Sequence, residues 1–178
     1  MSLQDQLKAY AAYHRDGRNK ATHFVGVPLV TFSLFLFLSW FRFVDAPKEF
    51  PMLSGAAIFY LCVLPYYLSL DLLIALLQLP VTLALLYAAD RVAVMPFQQS
   101  LIVFLATFIG GWIIQLVGHA FEGRRPALTD NLMQIFNAPL FLTAEVLLML
   151  GIHKDYYSPF EATPTPALQQ PELQDVRA

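Results

Sequence analysis

Five long apolar runs, each parted from the next by a short polar break, limit what this chain can become. They cover Phe24 to Phe43, Met52 to Leu68, Leu70 to Ala89, Phe97 to Val117 and Leu132 to Ile152. Each is close to the roughly twenty residues that a helix needs to cross the hydrocarbon core of a bilayer. Backbone polar groups inside lipid must be satisfied within their own segment, so such runs are helical. Composition agrees, with 57% of the 178 residues hydrophobic and only 13% charged, about half the charged share of a soluble domain. The expected fold is all-α, a polytopic membrane helical bundle of about five hydrophobic helices set in the lipid bilayer.

A short amphipathic helix is expected ahead of them. Residues 3 to 15 place Leu3, Leu7, Tyr10 and His14 on one stripe, the pattern of a helix lying on a membrane surface. Gly17 then suits a turn, and Asn19 is a good N-cap for the first long helix. That break matters, because a continuous helix turning about 100° per residue would put His14 and His23 on opposite faces. Bent at Gly17, the chain can bring them together. Around Ser69 the second and third runs read as a tight helical hairpin, or as one span plus a partly buried segment. Pro126 is expected to end the fourth helix, and Thr129 or Asp130 to cap the fifth. Residues 1–157 form a single membrane-embedded domain in this reading, and 158–178 a disordered Pro/Gln-rich tail. The first run follows a charged segment, so no cleaved signal peptide is expected. Cys62 is the only cysteine, which excludes an intrachain disulfide and leaves it a packing role. A net charge of -2 offers no broad basic surface, so nucleic acid is excluded as a partner.

The chemistry lies at the end of the fourth run. Trp112, Gln115, His119 and Glu122 are spaced three, four and three apart, which lines them along one helical face. Counting five spans puts the charged start of the chain, the break at Ser69 and the loop with Arg124 and Arg125 on one side. The positive-inside rule makes that side cytoplasmic. His14, His23 and His119 then share a membrane face, and His153 falls across the bilayer. Imidazoles with a carboxylate and open positions are the usual donors of non-haem iron(II). His14, His23, His119 and Glu122 are therefore the expected ligands, with Glu122 able to act instead by supporting His119. Each has a plainer reading: an interfacial histidine at His14, hydrogen-bonded pairs at His23 with Lys20 and at His119 with Glu122, topology charges at Arg124 and Arg125, a cap at Asn19. The sharper roles are substrate binding for Arg124 and Arg125 through a carboxylate and for Asn19 through orientation. Gln115 and Glu145 are expected to support the metal from within the bundle, since a carboxylate inside an apolar run is costly without a role.

Three motifs stand in order: Tyr13-His14-Arg-Asp-Gly-Arg-Asn19-Lys-Ala-Thr-His23 running on to Gly26 and Pro28, then Gln115-Leu-Val-Gly-His119-Ala-Phe-Glu122-Gly-Arg-Arg-Pro126, then Pro139-Leu-Phe-Leu-Thr-Ala-Glu145. In these the chain resembles the membrane-embedded 2-hydroxy fatty acid dioxygenase family, known for the yeast enzyme of phytosphingosine breakdown. The resemblance covers about residues 5 to 152. It implies a catalytic domain that uses Fe2+ and O2 for alpha-oxidation of a 2-hydroxy long-chain fatty acid to the acid one carbon shorter. By motif position it makes His14, His23 and His119 iron-associated, and more loosely Glu122 and Asn19. The implied mechanism is chelation of iron by the substrate's carboxylate and 2-hydroxyl, with cleavage between C1 and C2. The rival class is a non-catalytic membrane transporter or assembly protein whose polar cluster binds a proton or a metal. The expected location is a bacterial inner membrane, or the endoplasmic reticulum in a eukaryotic cell.

Overall fold

The computed structural model describes residue 7 and residues 14–43, 54–123 and 134–152. Five helices stand among them: α1 Gly17–Ser39, α2 Gly55–Leu70, α3 Leu72–Ala93, α4 Phe97–Glu122 and α5 Gln134–Met149. The all-α bundle is as expected. Of the N-terminal amphipathic segment, Leu7, His14 and Arg15 are described: Leu7 is helical and buried in the core, while His14 and Arg15 stand outside any helix. The loop with Arg124, Arg125, Pro126, Thr129 and Asp130, together with His153 and the tail, lies outside the described residues.

Local chemistry sets the boundaries. Asp16 is the cap of α1, its carboxylate accepting from the backbone N–H of Arg18 at 2.8 Å. Asn19, expected as the cap, is instead in the first turn and fully buried. Asp and Asn cap about equally well, and Asp16 stands earlier in the chain, so it took the position. One residue both ends α2 and starts α3: the Asp71 N–H bonds to the Tyr67 carbonyl at 3.2 Å, and its carboxylate accepts from Ile74 N at 2.9 Å. The break therefore falls at Asp71 and not at Ser69. α4 stops ahead of Pro126, because Gly123 takes the left-handed conformation (φ 68°) that closes a helix cheaply only without a Cβ.

α1, α3 and α4 are long and apolar enough to cross a membrane, whereas α2 and α5 have 16 residues each. Prolines 28, 65, 80 and 139 lie inside four of these helices, which membrane bundles tolerate because neighbours re-satisfy the freed carbonyls. Cys62, expected inside, is on the exposed face of α2; in lipid an outward thiol on an apolar helix costs nothing that packing must repay.

Close approach of glycines joins α1 to α4. A Cβ on Gly26 would stand 2.5 Å from Gln115 Cγ, and one on Gly111 would stand 2.9 Å from Val30 Cγ2. At Gly118 it would overlap the Thr22 hydroxyl and lie 2.5 Å from Asn19 Oδ1. Apolar surface gains nothing by leaving lipid for protein, so helices here associate through tight van der Waals contact between small residues. α4 accordingly buries only Ser100, Gly111, Gly118 and His119.

The course of α5 departs from the sequence reading. Near its start, the Phe136 ring lies 6.2 Å from that of Phe59 and the Phe136 carbonyl accepts from Tyr67 Oη at 2.8 Å. Further along, the Thr143 hydroxyl bonds to Gln78 Oε1, and Phe141 reaches the His14 ring at 5.7 Å. Near its end Glu145 meets Lys20, in the first turn of α1. α5 thus begins at mid-height in the bundle and climbs, antiparallel to α1 and α3, to the end where both of those helices start. A fifth span leading away from the histidines was expected; this helix is re-entrant and leads back to them. Hydropathy reports length and apolarity but is the same read in either direction, so counting runs could not tell a span from a return.

Candidate metal centre

Three elements deliver three histidines to one point. His14 comes from the segment before the Asp16 cap, His23 from the second turn of α1 and His119 from the last turn of α4. All are buried, at 2%, 1% and 6% exposure. The ring centroids of His14 and His23 are 4.4 Å apart, and each lies 5.0 Å from that of His119. One nitrogen from each ring falls within 4.8 Å of the others. The cluster expected from the sequence is therefore formed.

The tautomers follow from the surroundings. His23 Nδ1 lies 2.9 Å from the Asn19 carbonyl, which can only accept, so Nδ1 carries the proton and Nε2 presents a lone pair. That Nε2 is 3.2 Å from His14 Nε2. Two imidazole nitrogens held at about 2.1 Å from a shared ion stand roughly 3 to 3.4 Å apart, so the pair has the spacing of neighbouring ligands. His119 Nδ1 is buried with no hydrogen-bond partner, a costly state that a cation relieves. The donor set and the orphaned nitrogen fit a borderline divalent metal such as iron(II).

Glu122 is engaged elsewhere. Its Oε1 accepts from Arg15 N at 2.9 Å, and its Oε2 from Asp16 N at 2.8 Å and Asn19 Nδ2 at 3.1 Å. This carboxylate from the end of α4 clamps the strand of chain that carries His14 onto the start of α1, and it does not join the group of ligand atoms. Asn19 links both functions, its amide donating to Glu122 and its carbonyl orienting His23. Outside the clamp, Arg18 donates two hydrogen bonds to the Asp16 carboxylate and lies 4.7 Å over the Phe121 ring. The guanidinium holds the Asp16 carboxyl down to about 2.

Glu145 stands outside the group of candidate ligand atoms and is paired. Its Oε1 accepts from Lys20 Nζ at 2.7 Å, with the carboxylate side chain 7% exposed and the lysine 27%. Lys20 is one turn before His23, and Phe141, one turn before Glu145, packs on His14, so this ion pair walls the histidines on the α5 side. Gln115 lies one turn below His119, with its stem over Gly26. Reading by residue type missed Phe141 and Gly118, and it paired Lys20 with His23 where the structure pairs it with Glu145. The Phe141 contact needs the direction of α5. Deeper in the bundle, a cavity of about 60 Å³ opens between α1, α2 and α5, lined by Val30, Phe35, Tyr60, Val63 and Phe136 among others.

Residues 1–150 match the family model described as 2-hydroxy-palmitic acid dioxygenase Mpo1-like. The chain is 37% identical over 153 residues to the 2-hydroxy-palmitic acid dioxygenase MPO1 of Saccharomyces cerevisiae, an alignment covering 85% of this chain and 83% of that protein. No solved structure matches it. The match spans every element that builds the histidine cluster, from the segment bearing His14 to the last turns of α5, and the chain belongs to the Mpo1-like family.

Proposed function

We propose that the chain is an iron(II)-dependent dioxygenase that shortens 2-hydroxy long-chain fatty acids by one carbon. The observation that carries this reading is the buried cluster of His14, His23 and His119 inside an apolar helical member of a family whose yeast relative is named for 2-hydroxy-palmitic acid. The three imidazoles would hold the metal and leave positions for the substrate's carboxylate and 2-hydroxyl and for O2. Iron(II), when bound, supplies the electrons and Lewis acidity that reaction with O2 requires.

The remaining work belongs to the chain. The Asn19 carbonyl keeps the His23 Nδ1 proton in place, so that Nε2 stays available. Glu122 holds the His14 segment against both helices. The apolar walls exclude water from the reacting atoms, and the acyl chain runs from the histidines toward the bundle interior or the surrounding lipid. Arg124 and Arg125 follow α4 in sequence and offer positive charge to the carboxylate as it arrives. The enzyme works within a membrane, a bacterial inner membrane or the endoplasmic reticulum of a eukaryotic cell.

Oxygen uptake by purified protein given iron(II) and 2-hydroxypalmitate tests the reading, with the product analysed by mass spectrometry. Consumption of O2 together with an acid one carbon shorter is the expected result. Iron bound in full with no O2 consumption would leave the transporter or assembly reading instead.

A further inference from the structure

Three cations are described near the histidines, and only one is placed to meet a ligand there. Arg18 is 66% exposed and its guanidinium is spent on Asp16. Arg15 is exposed, and its backbone N–H is held by Glu122. Lys20 is different: it lies on α1 one turn before His23, its side chain is 27% exposed, and Glu145 fixes its ammonium at 2.7 Å. An ammonium has three N–H donors, and Glu145 takes one of them.

A salt bridge at this depth is not there for stability. Two charges removed from water gain little over a well-packed apolar pair, and α5 already has apolar contacts through Leu140, Phe141, Ala144 and Leu147. What the pair does provide is a fixed cation one turn of α1 before His23. Glu145 holds the flexible four-carbon stem of Lys20 in one direction.

We propose that Lys20 is the carboxylate-binding residue of the site, held ready by Glu145. This rests on the reading of the substrate as a 2-hydroxy acid, and it adds that the free acid is selected over its esters and amides. An anionic carboxylate gains a charge-assisted hydrogen bond from Lys20, whereas an ester presents only a neutral acceptor. Glu145 is thereby a positioning residue that acts through Lys20.

Binding of 2-hydroxypalmitate and of its methyl ester to purified protein in detergent tests the assignment, measured by calorimetry without O2. Lys20→Met alone would leave Glu145 buried and unpaired, so the variant used is the double Lys20→Met/Glu145→Gln, with Lys20→Arg as the charge-conserving control. The double variant is expected to lose about tenfold or more in affinity for the acid, the scale of one charged hydrogen bond, and to bind the ester as the parent does. Lys20→Arg should recover part of the difference. Equal acid affinity in parent and double variant overturns the role of Lys20 and leaves the substrate reading standing, as does parallel loss of acid and ester. A parent that binds neither overturns both.

Discussion

Nε2 of His14 lies 3.2 Å from Nε2 of His23, although the two come from opposite sides of a helix cap. With His23 Nδ1 donating to Asn19, this spacing leaves room for one of two things between the nitrogens, a proton from His14 or a cation. Metal that binds the folded state alone must then stabilise it by mass action, by about 2.7 kcal/mol when free metal is a hundredfold above its Kd. Thermal unfolding of chelator-treated protein, followed with and without added iron(II) under anaerobic conditions, is expected to show the gain. An unchanged midpoint at saturating metal would mean that the three rings are a hydrogen-bonded core and not a metal centre.

His119→Ala removes the imidazole that α4 brings to the cluster while leaving five apolar helices intact. We expect iron content to fall at least tenfold, the effect of losing even a supporting group at such a site being about ten- to a hundredfold. Insertion is set by long apolar segments, so the variant should stay in the membrane fraction after alkaline extraction. Iron per mole of membrane-extracted protein reads the first effect, and fractionation the second.

For Glu122 the distinction is between coordinating and clamping. Glu122→Gln replaces an acceptor of three hydrogen bonds by an amide with one acceptor oxygen, leaving a backbone N–H of Arg15 or Asp16 without its partner. The cost is about 1–3 kcal/mol for the lost acceptor, and it should be present in metal-free protein. A ligand, by contrast, would matter only when metal is bound. Denaturant unfolding of the apo forms is the deciding measurement, and equal apo stability would restore Glu122 to the ligand set.

Gly118→Ala tests whether α1 and α4 must touch for the centre to exist. The added methyl overlaps Thr22 and Asn19, and Asn19 is the residue that orients His23. Overpacking of this kind costs about 1–3 kcal/mol, and here it also pushes His119 away from His23. Lower thermal stability together with weaker metal retention is expected. Gly110 on the same helix has open space around it, so Gly110→Ala should leave both properties as they are.

Much of the centre could be read from residue order. Apolar runs forced helices, the polar break near Gly17 allowed His14 to turn back on His23, and the spacing from Gln115 to Glu122 aimed His119 at the same end. What escaped was anything that depends on direction or on competition between equivalent groups. Asp16 and Asn19 are both good caps, and only the folded chain shows which one caps and which turns inward to Glu122. Glu122 looked like a ligand because carboxylates are ligands; that two backbone N–H groups would reach it first is a property of the loop and not of the residue. Glu145, expected to act from within the bundle, meets the first turn of α1 because its helix climbs toward the histidines, a direction that residue order does not carry.

The re-entrant course of α5 is the point on which the Lys20 to Glu145 pair depends, and it is directly testable. If the fifth run crossed the bilayer away from the histidines, Glu145 would lie deep and Ile152 would emerge on the far side, beside the connection between α3 and α4. Glu145 instead meets the first turn of α1, and Ile152 follows within two turns, 43% exposed. In a background with Cys62, which is itself exposed, changed to Ala, single cysteines at Ser69, Met95 and Ile152 mark the hairpin, the opposite connection and the end of α5. Labelled with an impermeant maleimide in vesicles of known orientation, Ser69→Cys and Ile152→Cys are expected to react from one face and Met95→Cys from the other. Reaction of positions 95 and 152 from a common face would show that α5 spans, and would separate Glu145 from Lys20 by most of the bilayer.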